Sequence, residues 1–84
     1  MRRFAVYPNP TDGNFQVYYS ASKPSAAKVV LMNSLGEVVY SEVKTFDAGD
    51  NVFLINSADI PSGLYTLQIN IDGETMNRKV IVEK

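Results

Sequence analysis

The chain has 84 residues, of which 45% are hydrophobic and 20% charged, with no Cys, no His and no Trp. That length suits one domain spanning residues 1–84, and without cysteines the domain must be held together by apolar packing alone. The net charge of −1 excludes the basic surface typical of nucleic-acid binding. The lack of His removes the usual general base and metal ligand. No apolar run approaches the roughly 20 residues that cross a bilayer. We therefore expect no enzyme, no cofactor, no nucleic-acid partner and no membrane-spanning segment.

The N-terminus lacks the apolar stretch of a signal peptide, so the chain is expected to be a fragment of a longer protein. Residues 1–3 are expected to be a linker remnant or an added start.

Alternation of apolar and polar residues predicts seven short strands. They comprise residues 4–7, 14–20, 27–33, 37–43, 51–56, 64–71 and 74–83. The clearest of them, residues 64–71, places Tyr65 on its apolar side and ends at Asp72-Gly73, a pair typical of a two-residue hairpin turn. Residues 51–56 are apolar on both faces, which predicts a deeply buried strand. Residues 37–44 have the flat pattern of an edge strand that could pair with another chain, so some homodimer is expected, formed by strand exchange.

Turn residues separate these strands at short, regular intervals, and no segment carries a sustained helical stripe. Seven strands in fewer than 100 residues favour an all-β fold, a seven-stranded antiparallel Ig-like β-sandwich.

Three features could carry chemistry, and each has a simpler structural interpretation. The acidic residues 47–51 lack the spacing and distal Glu of a calcium loop, and they are interpreted as a solvated hairpin turn. Ser22 with Lys23, or Ser25 with Lys28, could form a catalytic dyad, but these residues lie in or beside a turn with no evident pocket. Tyr18 is in the outward register and is a candidate for contact with a partner.

Three segments together form a pattern. They are Tyr7-Pro8-Asn9-Pro10-Thr11-Asp12-Gly13-Asn14-Phe15 near the start, Leu31-Met32-Asn33-Ser34-Leu35-Gly36-Glu37-Val38-Val39 in the middle, and Ile60-Pro61-Ser62-Gly63-Leu64-Tyr65 leading on to Lys79-Val80-Ile81-Val82-Glu83-Lys84. In this order and spacing they resemble the type A C-terminal sorting domain of proteins exported by the type IX secretion system of Bacteroidota. The similarity extends from about residue 4 to residue 84.

This resemblance implies a secretion signal without catalytic activity, attached to a larger cargo such as a protease, adhesin or virulence factor. The cargo would reach the periplasm by its own signal peptide and then cross the outer membrane of a Gram-negative bacterium. The implied partners are the type IX outer-membrane translocon with its shuttle proteins, and a cell-surface cysteine protease of sortase-like role. That protease would cut the domain off while the cargo is attached to the cell surface.

The resemblance also assigns candidate sorting-motif residues. They are Tyr7, Pro8, Asn9, Pro10, Gly13, Asn33, Gly36, Val39, Gly63, Tyr65, Lys79, Val80, Ile81, Val82, Glu83 and Lys84. Prolines and glycines among them are expected to set turn geometry, and Tyr65 is expected to fill the core. Residues 79–84 are the expected site of direct recognition.

A generic Ig-like accessory module is the alternative from another class. Such a module would bind carbohydrate or protein, or would act as a spacer, and the fold alone does not exclude it.

Overall fold

A computed structural model describes residues 3–84, which form seven strands and no helix. The strands are β1 Phe4–Tyr7, β2 Asn14–Ala21, β3 Ser25–Asn33, β4 Val38–Phe46, β5 Gly49–Asn56, β6 Gly63–Ile71 and β7 Glu74–Val82. The predicted all-β, seven-stranded fold is confirmed. The expectation of a linker remnant falls on Met1 and Arg2, which lie outside the described residues, and on Arg3, whose carbonyl accepts a hydrogen bond from the Ser20 N–H.

Two antiparallel sheets form the sandwich: a three-stranded sheet in the order β1-β2-β5 and a four-stranded sheet in the order β4-β3-β6-β7. Inward side chains alternate with outward ones along β2, β3 and β6, as the period of an extended strand requires. The core is largely aliphatic. Between the sheets, Tyr19 stacks on Phe46 with ring centroids 5.1 Å apart. Aromatic packing thus links the two sheets in a chain that has no cysteine to form a disulfide.

The hairpin between β6 and β7 has the predicted two-residue turn. Asp72 and Gly73 both have positive φ values, 53° and 78°, which is the pattern of a primed turn that matches the twist of the flanking strands. Asp72 is the one described non-glycine residue with positive φ, consistent with the tolerance of Asp for this region.

Two sequence-based predictions about β5 are wrong. β5 is the edge of the three-stranded sheet, and Val52 and Leu54 are 56% and 54% exposed on its outer face. An apolar run on both faces indicated burial, but here it reflects a strand whose outer apolar side chains are left uncovered. Residues 47–51 are also not a hairpin turn, because β4 and β5 belong to different sheets. The Asn51 side-chain amide donates to the Asp47 carbonyl at 2.9 Å and so shapes a crossover.

The first and the last described residues lie at different levels along the molecule, whose longest dimension is 36 Å. We call the end with residues 8–14, 33–38, 57–63 and 79–84 the C-terminal pole. The start of β1 lies toward the other end, with the turns at residues 22–24 and 72–73. Strand directions enforce this separation, because Thr11 forms a parallel bridge with Val82 while Arg78, earlier in β7, reaches Phe4.

Candidate recognition site

The segment around Asn9 covers the outer backbone edge of the last strand. Asn9 Nδ2 donates to the Lys79 carbonyl at 2.9 Å, and Asn9 Oδ1 accepts from the Ile81 N–H at 2.9 Å. Pro8 and Pro10, each preceded by a cis peptide bond, flank Asn9. One side-chain amide therefore supplies the donor and the acceptor that a neighbouring strand would otherwise provide.

Thr11 continues this pairing through its own backbone. Its N–H donates to the Ile81 carbonyl at 2.8 Å, and its carbonyl accepts from the Glu83 N–H at 2.8 Å. Asn9 and Thr11 together thus pair β7 and the residue after it from Lys79 to Glu83. An unpaired strand edge is a template for adding another strand, and this stretch of β7 is not available as one.

Gly13 is required where this loop meets the segment after β5. Its φ is +113°, and a Cβ at this position would lie 2.6 Å from the Ser57 carbonyl oxygen. The Gly13 carbonyl accepts hydrogen bonds from the Ser57 hydroxyl at 2.7 Å and from the Ser57 N–H at 3.0 Å. The structural interpretation of this glycine is confirmed by both its backbone conformation and its close contact.

The middle motif is a self-contained turn between β3 and β4. Asn33 Oδ1 accepts from the Leu35 N–H at 3.0 Å and from the Glu37 N–H at 2.9 Å, so its side chain is used within the turn. Gly36 has φ +82° and an open surrounding, which confirms its turn role. Val39 is exposed where the β3–β4 register shifts, and Leu35, at the tip, is 83% exposed.

Tyr65 is buried, as expected, and its hydroxyl is fixed to the backbone. Its hydroxyl donates to the Pro61 carbonyl four residues earlier, at 2.5 Å. A tyrosine that bonds back to the backbone just before its own strand is the tyrosine corner of Ig-like sandwiches. The expected turn role is not found at Gly63. This residue begins β6 without a left-handed φ, and a Cβ there would make only an ordinary 3.7 Å contact with the Tyr65 ring.

Residues 79–84 alternate as predicted. Val80 and Val82 are buried, whereas Lys79, Ile81 and Glu83 are exposed. The chain end is tied down, because the Lys84 N–H donates to the Ser62 hydroxyl at 3.1 Å and the Lys84 ammonium bonds the Ala58 carbonyl. Both bonds fix Lys84 to the segment between β5 and β6.

The structure brings all the motif segments to the C-terminal pole. Asn33 lies directly opposite Tyr65 on the neighbouring strand, and Tyr65 lies opposite Val80. The contacts of Asn9 and Thr11 add the first motif to this group. Tyr7, the last residue of β1, is exposed on the outer face of the other sheet, where it faces Gln16.

Sequence reasoning missed three residues that hold this arrangement together. Thr11 and Ser57 are buried polar residues that bond to neighbouring backbone. Arg78 packs its guanidinium 5.0 Å from the centre of the Phe4 ring and donates through Nε to the Phe4 carbonyl at 2.9 Å. For Thr11 the sequence offered one signal: a polar residue two positions after Asn9 could continue the same edge of an extended segment. Nothing in the sequence indicated the partners of Ser57 and Arg78.

Tyr18, the outward candidate, already has a partner within the chain. Its hydroxyl donates to Asp50 Oδ1 at 2.6 Å, and this hydrogen bond to a carboxylate raises the pKa of Tyr18. No group of three or more acidic, His or Cys side chains among residues 3–84 is placed to hold a metal ion. Nor does that stretch contain a helix able to cross a membrane.

Comparison with known proteins identifies the family. The family described as "Secretion system C-terminal sorting domain" matches residues 5–83, which is nearly the whole chain and includes every motif residue except Lys84. No curated protein matches. The domains of this family are non-catalytic. Because they are sorting signals, the alternative of a generic accessory module is not favoured. The chain belongs to the C-terminal sorting domains and is a signal for export by the type IX secretion system.

Proposed function

We propose that the secretion machinery reads this signal through the outward side chains of Lys79, Ile81 and Glu83. The observation that carries the proposal is the pairing of the β7 edge by Asn9 and Thr11. Because the backbone there is already bonded, a partner can read this part of the last strand only by its side chains. The covered edge thus favours recognition of a rigid surface over strand addition.

The position of the first strand supports this role. The start of β1 lies beside Arg78, whose Nε donates to the Phe4 carbonyl at 2.9 Å, whereas Ile81 and Glu83 lie further along the chain and bond to Asn9 and Thr11. A cargo joined before residue 3 would therefore enter behind the tip of the C-terminal pole and not at the tip itself. A portable label needs this property, since a signal on the cargo side would be shielded differently by each protein that carries it.

The partners that fit this proposal are the outer-membrane translocon of the type IX system and the shuttle proteins that serve it. Export takes the cargo to the cell surface or the medium. The proposed route passes through the periplasm of a Gram-negative bacterium, and a sortase-like cysteine protease then removes the domain. In this sequence of events the domain itself performs no catalysis.

The test replaces Lys79, Ile81 and Glu83 with Ser in a domain fused to a periplasmic reporter, in a host with a working type IX system. All three side chains are exposed, so the variant should fold with little loss of stability, and the reporter should accumulate in the periplasm. The matched control also replaces three residues with Ser: Lys28, Asn70 and Thr75. These are exposed, lie opposite one another on β3, β6 and β7, and are at the other end of the same sheet. This variant should be exported normally.

Two results would contradict the proposal. Normal surface delivery of the folded Lys79/Ile81/Glu83 variant would show that these side chains are not read. Equal loss of export in the control variant would show that the whole outer face of the sheet is required. Circular dichroism and thermal melting of both purified domains establish that each variant is folded.

A further inference from the structure

The two edge strands of the four-stranded sheet differ in whether their outer backbone is hydrogen-bonded. At β7 the outer edge is paired by Asn9 and Thr11 over residues 79–83. At β4, nine residues long, the strand order places β3 on one side and no described strand on the other. A long open edge invites pairing with another chain unless its side chains oppose it.

The side chains of β4 form an alternating pattern of charge and apolar surface. Glu42 and Lys44 are half-buried on the inner side and form an ion pair at 3.7 Å. The Lys44 ammonium also lies 5.0 Å from the centre of the Phe53 ring. Between these charges, Val43 points outward and is 73% exposed. Inward charges at an edge disfavour pairing with an arbitrary strand, because a charge would be covered by an apolar partner residue.

A second copy of the same strand removes that penalty. We infer that β4 pairs antiparallel with β4 of another molecule, about a two-fold axis at Val43. In this register Glu42 faces Lys44 of the second copy, and the symmetry creates that pair twice. Val43 faces Val43, and Ser41 faces Thr45. Opposite charges directly across an antiparallel pair stabilise it.

The charges also select this register over its neighbours. An axis at Glu42 would place Glu42 against itself, and an axis at Lys44 would place Lys44 against itself. Like charges directly opposite are destabilising. Directly opposed residues must also share a face of the sheet, so a two-fold axis falls on a residue and not between two residues. The register centred on Val43 satisfies both charged side chains and joins the two four-stranded sheets into one.

A cysteine substitution tests the register directly, because residues 3–84 contain no cysteine and neither does the rest of the chain. Val43→Cys places two thiols opposite each other on the axis, and mild oxidation with copper-phenanthroline should convert it to a covalent dimer. Val52→Cys is the matched control, since Val52 is an exposed valine on the edge strand of the other sheet. We expect Val43→Cys to cross-link at least about tenfold faster than Val52→Cys or Ser41→Cys. Equal rates would overturn the inference, and faster cross-linking of Ser41→Cys would overturn the register.

Charge exchange tests the same contact without a covalent bond. Sedimentation equilibrium up to millimolar concentration should detect a dimer of the unmodified domain. Glu42→Lys and Lys44→Glu should each weaken it at least about tenfold, because each converts two attractive pairs into two repulsive ones. The double variant carrying both changes should restore it. A strictly monomeric domain at millimolar concentration, or a double variant no better than the single ones, would refute the pairing. Melting curves at low concentration separate these outcomes from unfolding.

Discussion

Replacing each of three motif glycines with alanine should change the free energy of unfolding by three different amounts. Gly13→Ala combines a φ of +113° with a Cβ only 2.6 Å from the Ser57 carbonyl oxygen. A left-handed backbone costs a residue with a side chain about 1–3 kcal/mol. Moving Ser57 away also weakens its two hydrogen bonds to the Gly13 carbonyl, each worth about 0.5–1.5 kcal/mol. The expected total is about 2–6 kcal/mol.

Gly36 and Gly63 are internal controls for the same chemical change. At Gly36 only the φ of +82° opposes a side chain, because nothing lies within 4 Å, so Gly36→Ala should cost about 1–2 kcal/mol. At Gly63 neither obstacle exists, so Gly63→Ala should be neutral or should stabilise by up to about 1 kcal/mol, since alanine restricts the unfolded chain.

Urea denaturation of the three variants measures these differences in the free energy of unfolding. A shift of about 4–8 °C in Tm per kcal/mol is expected for a domain of this size. If Gly36→Ala were as damaging as Gly13→Ala, the close contact with Ser57 would not be the cause. If Gly63→Ala were strongly destabilising, the start of β6 would need a conformation other than the one described here.

Three further predictions concern single side chains. Tyr65→Phe should lower the free energy of unfolding by about 1–2 kcal/mol, since it removes only the hydrogen bond to the Pro61 carbonyl. Tyr65→Ala should lower it by about 3–5 kcal/mol. Equal losses in urea denaturation would contradict a tyrosine corner at this position. Burial and the neighbouring Glu42 carboxylate raise the pKa of Tyr40 to about 12, so this contribution to stability should be complete below pH 10 and lost as the pH rises toward 12. Absorbance titration near 295 nm with Tyr40→Phe checks this, and an unchanged high-pH step in the variant would refute it. Asn9→Ala should speed hydrogen exchange at the Ile81 amide, which loses its acceptor; unchanged protection by NMR would mean that Asn9 does not cover the strand edge.

Most of the strands could be predicted from the sequence, because alternation reports directly which side chains face the core. The prediction of residues 4–7 matches β1, and the prediction for residues 64–71 differs from β6 by one residue. At β5 the strand was predicted correctly, since residues 51–56 lie within it, but its deep burial was predicted wrongly, because apolar residues on both faces leave no period-2 signal. Whether such a strand is central or at an edge depends on the strand order, which no local pattern encodes.

The candidate site was predictable as a set of segments but not as an assembly. Gly13 and Gly36 were correctly assigned to turns, because a turn is a local property of the chain. The pairing of Asn9 with Lys79 and Ile81 joins residues 70 and 72 positions apart, and it requires knowing that the edge strands β1 and β7 of the two sheets meet at one side of the sandwich. An asparagine between two prolines otherwise indicates only a turn.

The hydrogen bonds between residues 9–11 and residues 79–83 form only in a chain that contains both segments. These contacts join segments about 70 residues apart, so they exist only when both ends of the domain are present and folded. A polypeptide that ended early within the domain, or lost its last residues to a protease, would leave Asn9 and Thr11 without their partners and Tyr65 without its neighbour Val80. Such a damaged chain would not present the surface formed at the C-terminal pole. A sorting system that reads this surface therefore discriminates against incomplete proteins without a separate inspection step.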